Sequence, residues 1–293
     1  PALNIGEVDN HGYEIALGWK ETTRRGFNYY VNANVSFARN KILYMDEVKS
    51  QFAYQHQTGG PTGRYTGLYK FERLYQNSDF TVDSKGNMVL DSSLPQPYVA
   101  VAPGDAMYAD LNGDGIVDSD DTMVTGYSTR PEYVFGLNAG FNWKGLNFSM
   151  QWTGATHVNK MMEIEYRIPY TNAGGRGLLQ YFYDDCWTPE HQTGTLPRAA
   201  EKSEVWNSSA STLWLRNARY LRLKTLELGY TLPKALTKKA AIDRVRFYIN
   251  CNNLLTFTNR DGLMKNVDPE SNSSGVRYYP QMKTYNFGVN VTF

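Results

Sequence analysis

Residues Thr284 to Phe293 constrain this chain more than any other stretch. Tyr285, Phe287, Val289, Val291 and Phe293 fall on one face of an extended segment, and Asn286, Gly288, Asn290 and Thr292 fall on the other. A period of two over the whole segment is the mark of a strand with one apolar and one polar face. The polar residues are small and mostly uncharged, and the sequence stops on an aromatic ring. An ordinary solvated sheet face would be expected to carry lysine and glutamate instead.

Six upstream segments repeat the pattern. Tyr13, Ile15, Leu17 and Trp19 alternate with Glu14, Ala16, Gly18 and Lys20. In 27–37 the apolar face carries Phe27, Tyr29, Val31, Ala33, Val35 and Phe37. Residues 133–143, 146–153 and 245–252 follow suit, with Asn, Gly and Ser dominating the polar side. The segment 220–232 is less regular, because Arg222 and Lys224 fall in the apolar register. That implies a position beyond the bilayer or a bulge. Composition fits the same picture: 14 % aromatic residues with 22 Tyr, yet a mean hydropathy of −0.52. Rings placed among polar partners are what a membrane-spanning strand needs when one face meets lipid and the other a crowded lumen. A β-sandwich rich in aromatics is the competing architecture.

The connections separate the two. Those at 22–26, Lys144-Gly145 and 233–244 are short, whereas 44–132, 155–217 and 259–283 are long, and the two kinds alternate along the chain. Outer-membrane barrels have short periplasmic turns and long extracellular loops. The predicted fold is therefore all-β, a transmembrane antiparallel β-barrel with long extracellular loops and a periplasmic C-terminus. The 44–132 segment is expected to hold an even number of further strands, with Tyr65 to Tyr75 one candidate. Seven strands do not close such a barrel, so residues 1–293 are expected to be the C-terminal segment of one larger barrel domain. The opening Pro1-Ala2-Leu3-Asn4 reads like mid-protein sequence, and earlier strands are expected to lie upstream.

A formal net charge of +1 without a long basic run argues against nucleic acid as partner. No stretch approaches the about 20 apolar residues of a spanning helix. Cys186 and Cys251 read as free thiols, and the four histidines lie in no zinc spacing. Asn-x-Ser/Thr tripeptides begin at Asn34, Asn147, Asn207, Asn272 and Asn290, several inside strands, and carry little meaning.

Two groups of residues carry chemistry. From Asp110 to Asp121 the chain matches a twelve-residue calcium loop, with ligands expected from Asp110, Asn112, Asp114, the carbonyl of Ile116, Asp118 and Asp121. Gly115 supplies the turn at the sixth position, but the twelfth is Asp where the EF-hand has Glu. A bound Ca2+ would be structural, pinning a long loop; the alternative is a metal-free turn held by side-chain to backbone bonds. The segment 155–217 holds Tyr181, Phe182, Tyr183, Trp187, Trp206 and Trp214. Trp187, Trp206 and Trp214 are candidate substrate or partner contacts, since flat rings hold sugars and anchor interfaces; packing of the loop against itself is the competing use. Asp184, Asp185, Glu190 and Glu204 form no pair with acid–base context, and no nucleophile–base grouping is visible, so no catalytic residue is assigned and an enzyme is not expected.

Several long motifs resemble SusC-like TonB-dependent outer-membrane transporters of Bacteroidetes. They are Tyr220 to Pro233 (YLRLKTLELGYTLP), Trp187 to Glu190 with Pro197-Arg198, Asn252 to Phe257, Gly104-Asp105 with Asp110 to Gly115, Asn4 to Glu14, and Tyr279-Pro280 with Lys283 to Phe293. They occur in the family's order from end to end. The resemblance implies a barrel of about 22 strands, and an N-terminal plug and TonB-contacting segment that are absent here. It further implies a SusD-like surface lipoprotein as lid and import of oligosaccharides or peptides across the outer membrane of a Gram-negative bacterium. A passive porin-like channel and a soluble calcium-stabilised carbohydrate-binding module are the alternatives.

Overall fold

A computed structural model describes residues 5–48, 50–170, 177–199, 204–259, 262–271, 279 and 281–293. Residues 1–4, the Asn272 tripeptide and Pro280 lie outside them, as does the side chain of Glu204.

Seven strands form one antiparallel sheet in chain order: β1 (Glu7–Thr22), β2 (Asn28–Tyr44), β3 (Tyr133–Trp143), β4 (Leu146–Thr156), β5 (Tyr220–Thr231), β6 (Arg244–Thr258) and β7 (Thr284–Thr292). They are the seven predicted strands, and each pairs with its sequence neighbour. β1 and β7 are the edges, so the wall is open in this chain. No helix among the described residues is long and apolar enough to cross a membrane.

The register aligns the faces of all seven strands. One outward row runs Leu17–Ala33–Leu137–Trp152–Leu223–Leu255, and the next runs Trp19–Val31–Ala139–Met150–Leu226–Cys251–Tyr285. The inward row between them is Gly18–Asn32–Asn138–Gln151–Thr225–Asn252–Thr284. A slip of one residue anywhere would send asparagines to the lipid face. The pairing shifts beside Lys224, so the irregular segment contains a bulge. It returns Leu221 and Leu223 to the apolar face and sends Arg222 inward.

Aromatic rings bound the apolar band. Above, Tyr13, Phe37 and Tyr133 stand side by side, with centroids 5.4 and 4.6 Å apart. Below, Phe27, Phe141 and Phe148 stack at 5.4 and 5.5 Å, and the Trp19 indole donates to the Tyr29 hydroxyl. Eight residues separate Phe37 from Tyr29. That is about 26 Å of extended chain at ~3.3 Å per residue, or about 20 Å of height at a tilt of about 40°, near the ~25 Å band of outer-membrane barrels.

Between β3 and β4, Lys144 (φ 48°) and Gly145 (φ 86°) both take positive φ, the two-residue type I′ turn whose twist matches the strands it joins. The other short connections are 23–27 and 232–243. At the opposite end, loop A (45–132), loop B (157–219) and loop C (259–283) are long. Among the described residues of loop A are eight short strands, and Tyr65–Tyr69 and Phe71–Leu74 fall where one was expected. None joins the wall: Tyr65–Tyr69 pairs with Thr122–Thr125, and Phe71–Leu74 with Ala106–Tyr108.

The wall strands bury few residues in this chain, and most of the described core lies in the loops. One cluster joins Val158, Met162, Tyr181, Phe182 and Trp214 of loop B to Leu263, Met264 and Val267 of loop C. A second joins Tyr69, Tyr108 and Val117 of loop A to Trp206 of loop B. Burying rings of this size stabilises such an assembly by roughly 1.5–3 kcal/mol per large side chain.

Candidate functional site

The loops gather at one end of the polar, inward face of the wall. At the other end that face holds a recess of about 450 Å³ lined by Asn28, Asn142, Asn147, Arg246 and Asn290. Arg246 donates to Glu227 at 2.5 Å and lies over the Tyr248 ring. Lys144 and Arg244 also line it, so hydrogen-bonding amides stand here beside a surplus of positive charge.

Loops A and B interlock through backbone and side chains. The Tyr69 amide donates to the Ala210 carbonyl, and the Thr212 amide returns a bond to the Tyr69 carbonyl. Asp105 is the buried hinge of this contact: it accepts from Arg198 Nε at 2.7 Å, from the Asn207 amide at 2.8 Å and from the Ala102 N–H at 2.8 Å. Gly104 beside it has φ 88°, and a side chain there would run into the Trp187 ring.

The three tryptophans singled out in the sequence are buried. Trp187 donates to Gln76 Oε1, Trp206 to the Ala106 carbonyl and Trp214 to the Asn207 carbonyl. Trp206 packs on Tyr69 and Tyr108 at 5.6 and 4.9 Å. Their faces clamp one loop to another and are closed to a sugar or a partner, because a core made of loops has to find its apolar mass in large rings. Tyr183 is the exposed ring of that group.

The calcium-like segment is a closed network of Asx turns. Asp110 accepts from the Gly113 and Gly115 amides, Asn112 from Asp114, Asp114 from Ile116 and Asp118 from Asp120. Asp121, with no exposed surface, accepts from Leu111, Asn112 and Asp118 and so staples the two ends of the loop together. Ile116 sits in a short parallel bridge with Gln96. Among the described residues no three acidic, His or Cys side chains converge tightly enough to hold a metal ion.

A buried charge cluster, not anticipated from the sequence, ties the loops to the wall. Arg222, 2 % exposed, points inward from the bulge in β5. Its Nη2 lies 2.9 Å from both Asp268 oxygens, its Nη1 2.5 Å from Glu270, and its Nε 3.0 Å from Thr256 Oγ1. Lys224 donates to both Glu270 oxygens, at 2.9 Å to the one Arg222 holds and at 3.1 Å to the other. From loop B, Lys160 donates to the carbonyls of Asp268 and Ser271; burial pushes its ammonium down to about 8 against the opposing pull of Asp268. The misfit of Arg222 and Lys224 in the apolar register was the one sequence sign of this cluster. Asp268 and Glu270 gave none.

No family model matches the chain. Over 99 % of its length it is 29 % identical to the TonB-dependent receptor P26 of Formosa agariphila and 22 % identical to the TonB-dependent receptor SusC of Bacteroides thetaiotaomicron. It spans 30 % and 27 % of those relatives' lengths. Its fold matches solved structures of the RagAB peptide importer: TM-score 0.67 at 20 % identity for the open-open state, covering 99 % of this chain and 29 % of that one, and 0.63 at 23 % identity for the closed-closed state, covering 98 % and 30 %. Aligned faces, alternating connections and relatives matched from end to end converge: the chain has the fold of a stretch of transmembrane barrel wall and loops, and is similar over its length to TonB-dependent receptors of the SusC kind.

Proposed function

We propose that the whole protein is an importer of the outer membrane, driven through TonB, that takes up oligosaccharides or peptides with a SusD-like lipoprotein over its loops. The observation that carries this reading is the division of the wall: three long connections at one end, three short at the other, and a continuous polar face between them. The long loops then face outward, the C-terminus is periplasmic, and loops A and B form the rim a lid would meet. The names of the relatives support TonB dependence, and the RagAB neighbours favour a peptide as the first substrate to try.

Two experiments test it. A membrane-impermeant maleimide applied to intact cells should label the full-length protein with Ser84→Cys, in loop A, and spare the protein with Lys144→Cys, in the tight turn; the reverse result would sink the orientation. Uptake of labelled peptides and oligosaccharides by cells expressing the protein should stop when TonB is depleted. Uptake that continues would instead indicate a passive channel.

Calcium binding at Asp110–Asp121 belongs to the same proposal. The spacing of oxygens supports it, and Asp110, Asn112, Asp114 and Asp118 each keep an oxygen engaged by a single N–H. Asp121, with no exposed surface, takes two amides on Oδ1 and a third on Oδ2, and acts as the staple. An ion would have to draw the other carboxylates inward. Adding Ca2+ in place of EGTA should raise the melting temperature of the full-length protein, and Asp114→Ala should abolish the difference. No shift in the unaltered protein would leave the segment a metal-free turn.

A further inference from the structure

Above Phe37 and Tyr133 the ladder on the β3 side of β2 is interrupted. The even-numbered residues of β2 turn their backbone groups away from β1. The Ala38 amide donates to the Glu132 carbonyl at 3.0 Å, and Ile42 donates to Gly60 and accepts from Gly59 at 2.9 Å each. Asn40 lies between them in the same orientation, since backbone groups alternate sides along a strand. Among the described residues its N–H and C=O meet no backbone partner on that side.

The chains that flank this gap are held off it. Continuing the register of β2 with β3 would set Arg130 opposite Asn40. The Ser128 hydroxyl instead accepts from the Arg130 N–H and donates to the Arg130 carbonyl, at 2.9 Å each. Pro131 beside it has no N–H to give. The Glu132 carboxylate is committed to Arg39, at 2.8 and 2.6 Å, and is braced by His157 Nδ1 at 3.1 Å. On the other flank Pro61 also lacks an N–H, and the Thr62 amide donates to the side-chain oxygen of Asn40 at 2.6 Å rather than to its carbonyl. Between the flanks lies a cleft of about 590 Å³ with Asn10, Pro61, Thr62, Tyr127, Arg130 and Pro131 on its walls, a volume typical of ligand sites.

We infer that this cleft is a subsite for a short extended peptide, which enters as a strand and pairs with Asn40. An unpaired strand edge presents N–H and C=O in a fixed repeat, and the ligand that matches both is another polypeptide backbone. An oligosaccharide carries hydroxyls without that repeat. From Ala38 to Ile42 the edge runs about 13 Å at ~3.3 Å per residue, room for three or four residues of ligand. Recognition through the backbone leaves the ligand's side chains largely unread, which suits uptake of peptides of mixed sequence. The inference rests on the importer reading above and narrows its substrate to peptides.

The test uses the full-length protein in detergent and a library of mixed-sequence tetrapeptides, with and without N-methylation of every backbone amide. The unmethylated library should be retained and the methylated one lost. Asn40→Pro deletes the N–H that faces the cleft without removing a bond to β1, whereas Asn40→Ala lacks the same side chain but keeps the N–H. The Pro variant should bind unmethylated peptides about fivefold more weakly than the Ala variant, the worth of one hydrogen bond, at the same melting temperature. Should the Pro variant melt lower, the two libraries on the unaltered protein decide. Equal retention of both libraries, retention of neither, or equal affinity of two equally stable variants would overturn the inference. Binding in detergent needs no TonB, so uptake that ignores TonB sinks the importer reading alone. TonB-dependent peptide uptake with equal affinity of the two variants sinks the cleft alone.

Discussion

Arg222 and Arg39 sit on opposite faces of the same wall, near the same end, and each holds carboxylates through its guanidinium fork. Arg222 lies under loops B and C, with Asp268 also buried, and spends its fork on two acids and a threonine hydroxyl. Arg39 lies on the outward rim with 42 % of its side chain exposed and spends two nitrogens on one acid. The surroundings decide what the same chemistry does. Where water is excluded, the ions depend on each other, and the pair dictates where loop C rests. Where water is present, the pair is weak but sets a pattern of charge at the surface. A barrel needs both uses, because one face of its wall meets loops and the other meets lipid.

Asp268→Ala should break the comparison most visibly. It strands a buried guanidinium, and losing one partner of such a pair costs about 3–5 kcal/mol. The melting temperature of the detergent-solubilised protein should fall, and amide exchange over 262–271 should rise before the wall opens. A cost below about 1 kcal/mol would mean that Arg222 reaches water or a new partner, as Arg39 does. Glu132→Ala should cost far less, about 1 kcal/mol or under, with no change in exchange at loop C. If it matched Asp268→Ala, the rim would be as dry as the lumen side. A third effect concerns Lys160 and is read through pH. Burial lowers its folded-state value to about 8 from an ordinary 10.5, so between these limits the unfolded chain binds more protons. Lys160 therefore adds a term by which stability rises with pH from about 8 to about 10.5, and none below that window. Comparing melting temperatures of wild type and Lys160→Met across this range isolates the term, and parallel curves would show that the lysine is not desolvated.

The wall was legible because its physics is periodic. Tyr13 to Trp19, Phe27 to Phe37 and Tyr285 to Phe293 each state which side meets lipid, and neighbours must agree row by row. The bulge at Lys224 announced itself as a break in that rule. The strands extend further than their apolar stretches: β1 begins at Glu7, and β2 continues to Tyr44. Beyond the bilayer, polar residues such as His11 and Arg39 can occupy the outward phase without cost. Loop interiors obey no such period. Nothing in the spacing of Trp187, Trp206 and Trp214 distinguishes a ring that offers its face from one that buries it, and the bonds from their indole nitrogens to Gln76, Ala106 and Asn207 join residues remote in sequence or in irregular backbone. Asp268 and Glu270 were silent for the same reason, since their partners come from other segments.

Loop A leaves one strand and returns on the next strand of the sheet, with Phe37 opposite Tyr133 in the register. The wall is thus threaded in the same way whatever lies between them. The free-energy cost of closing a longer loop grows only logarithmically, at about 0.6 kcal/mol per doubling. Evolution can accordingly lengthen, trim or replace this whole excursion without disturbing a single rung of the barrel. The loops can change at the speed of a surface insertion, while the membrane-spanning frame beneath stays fixed.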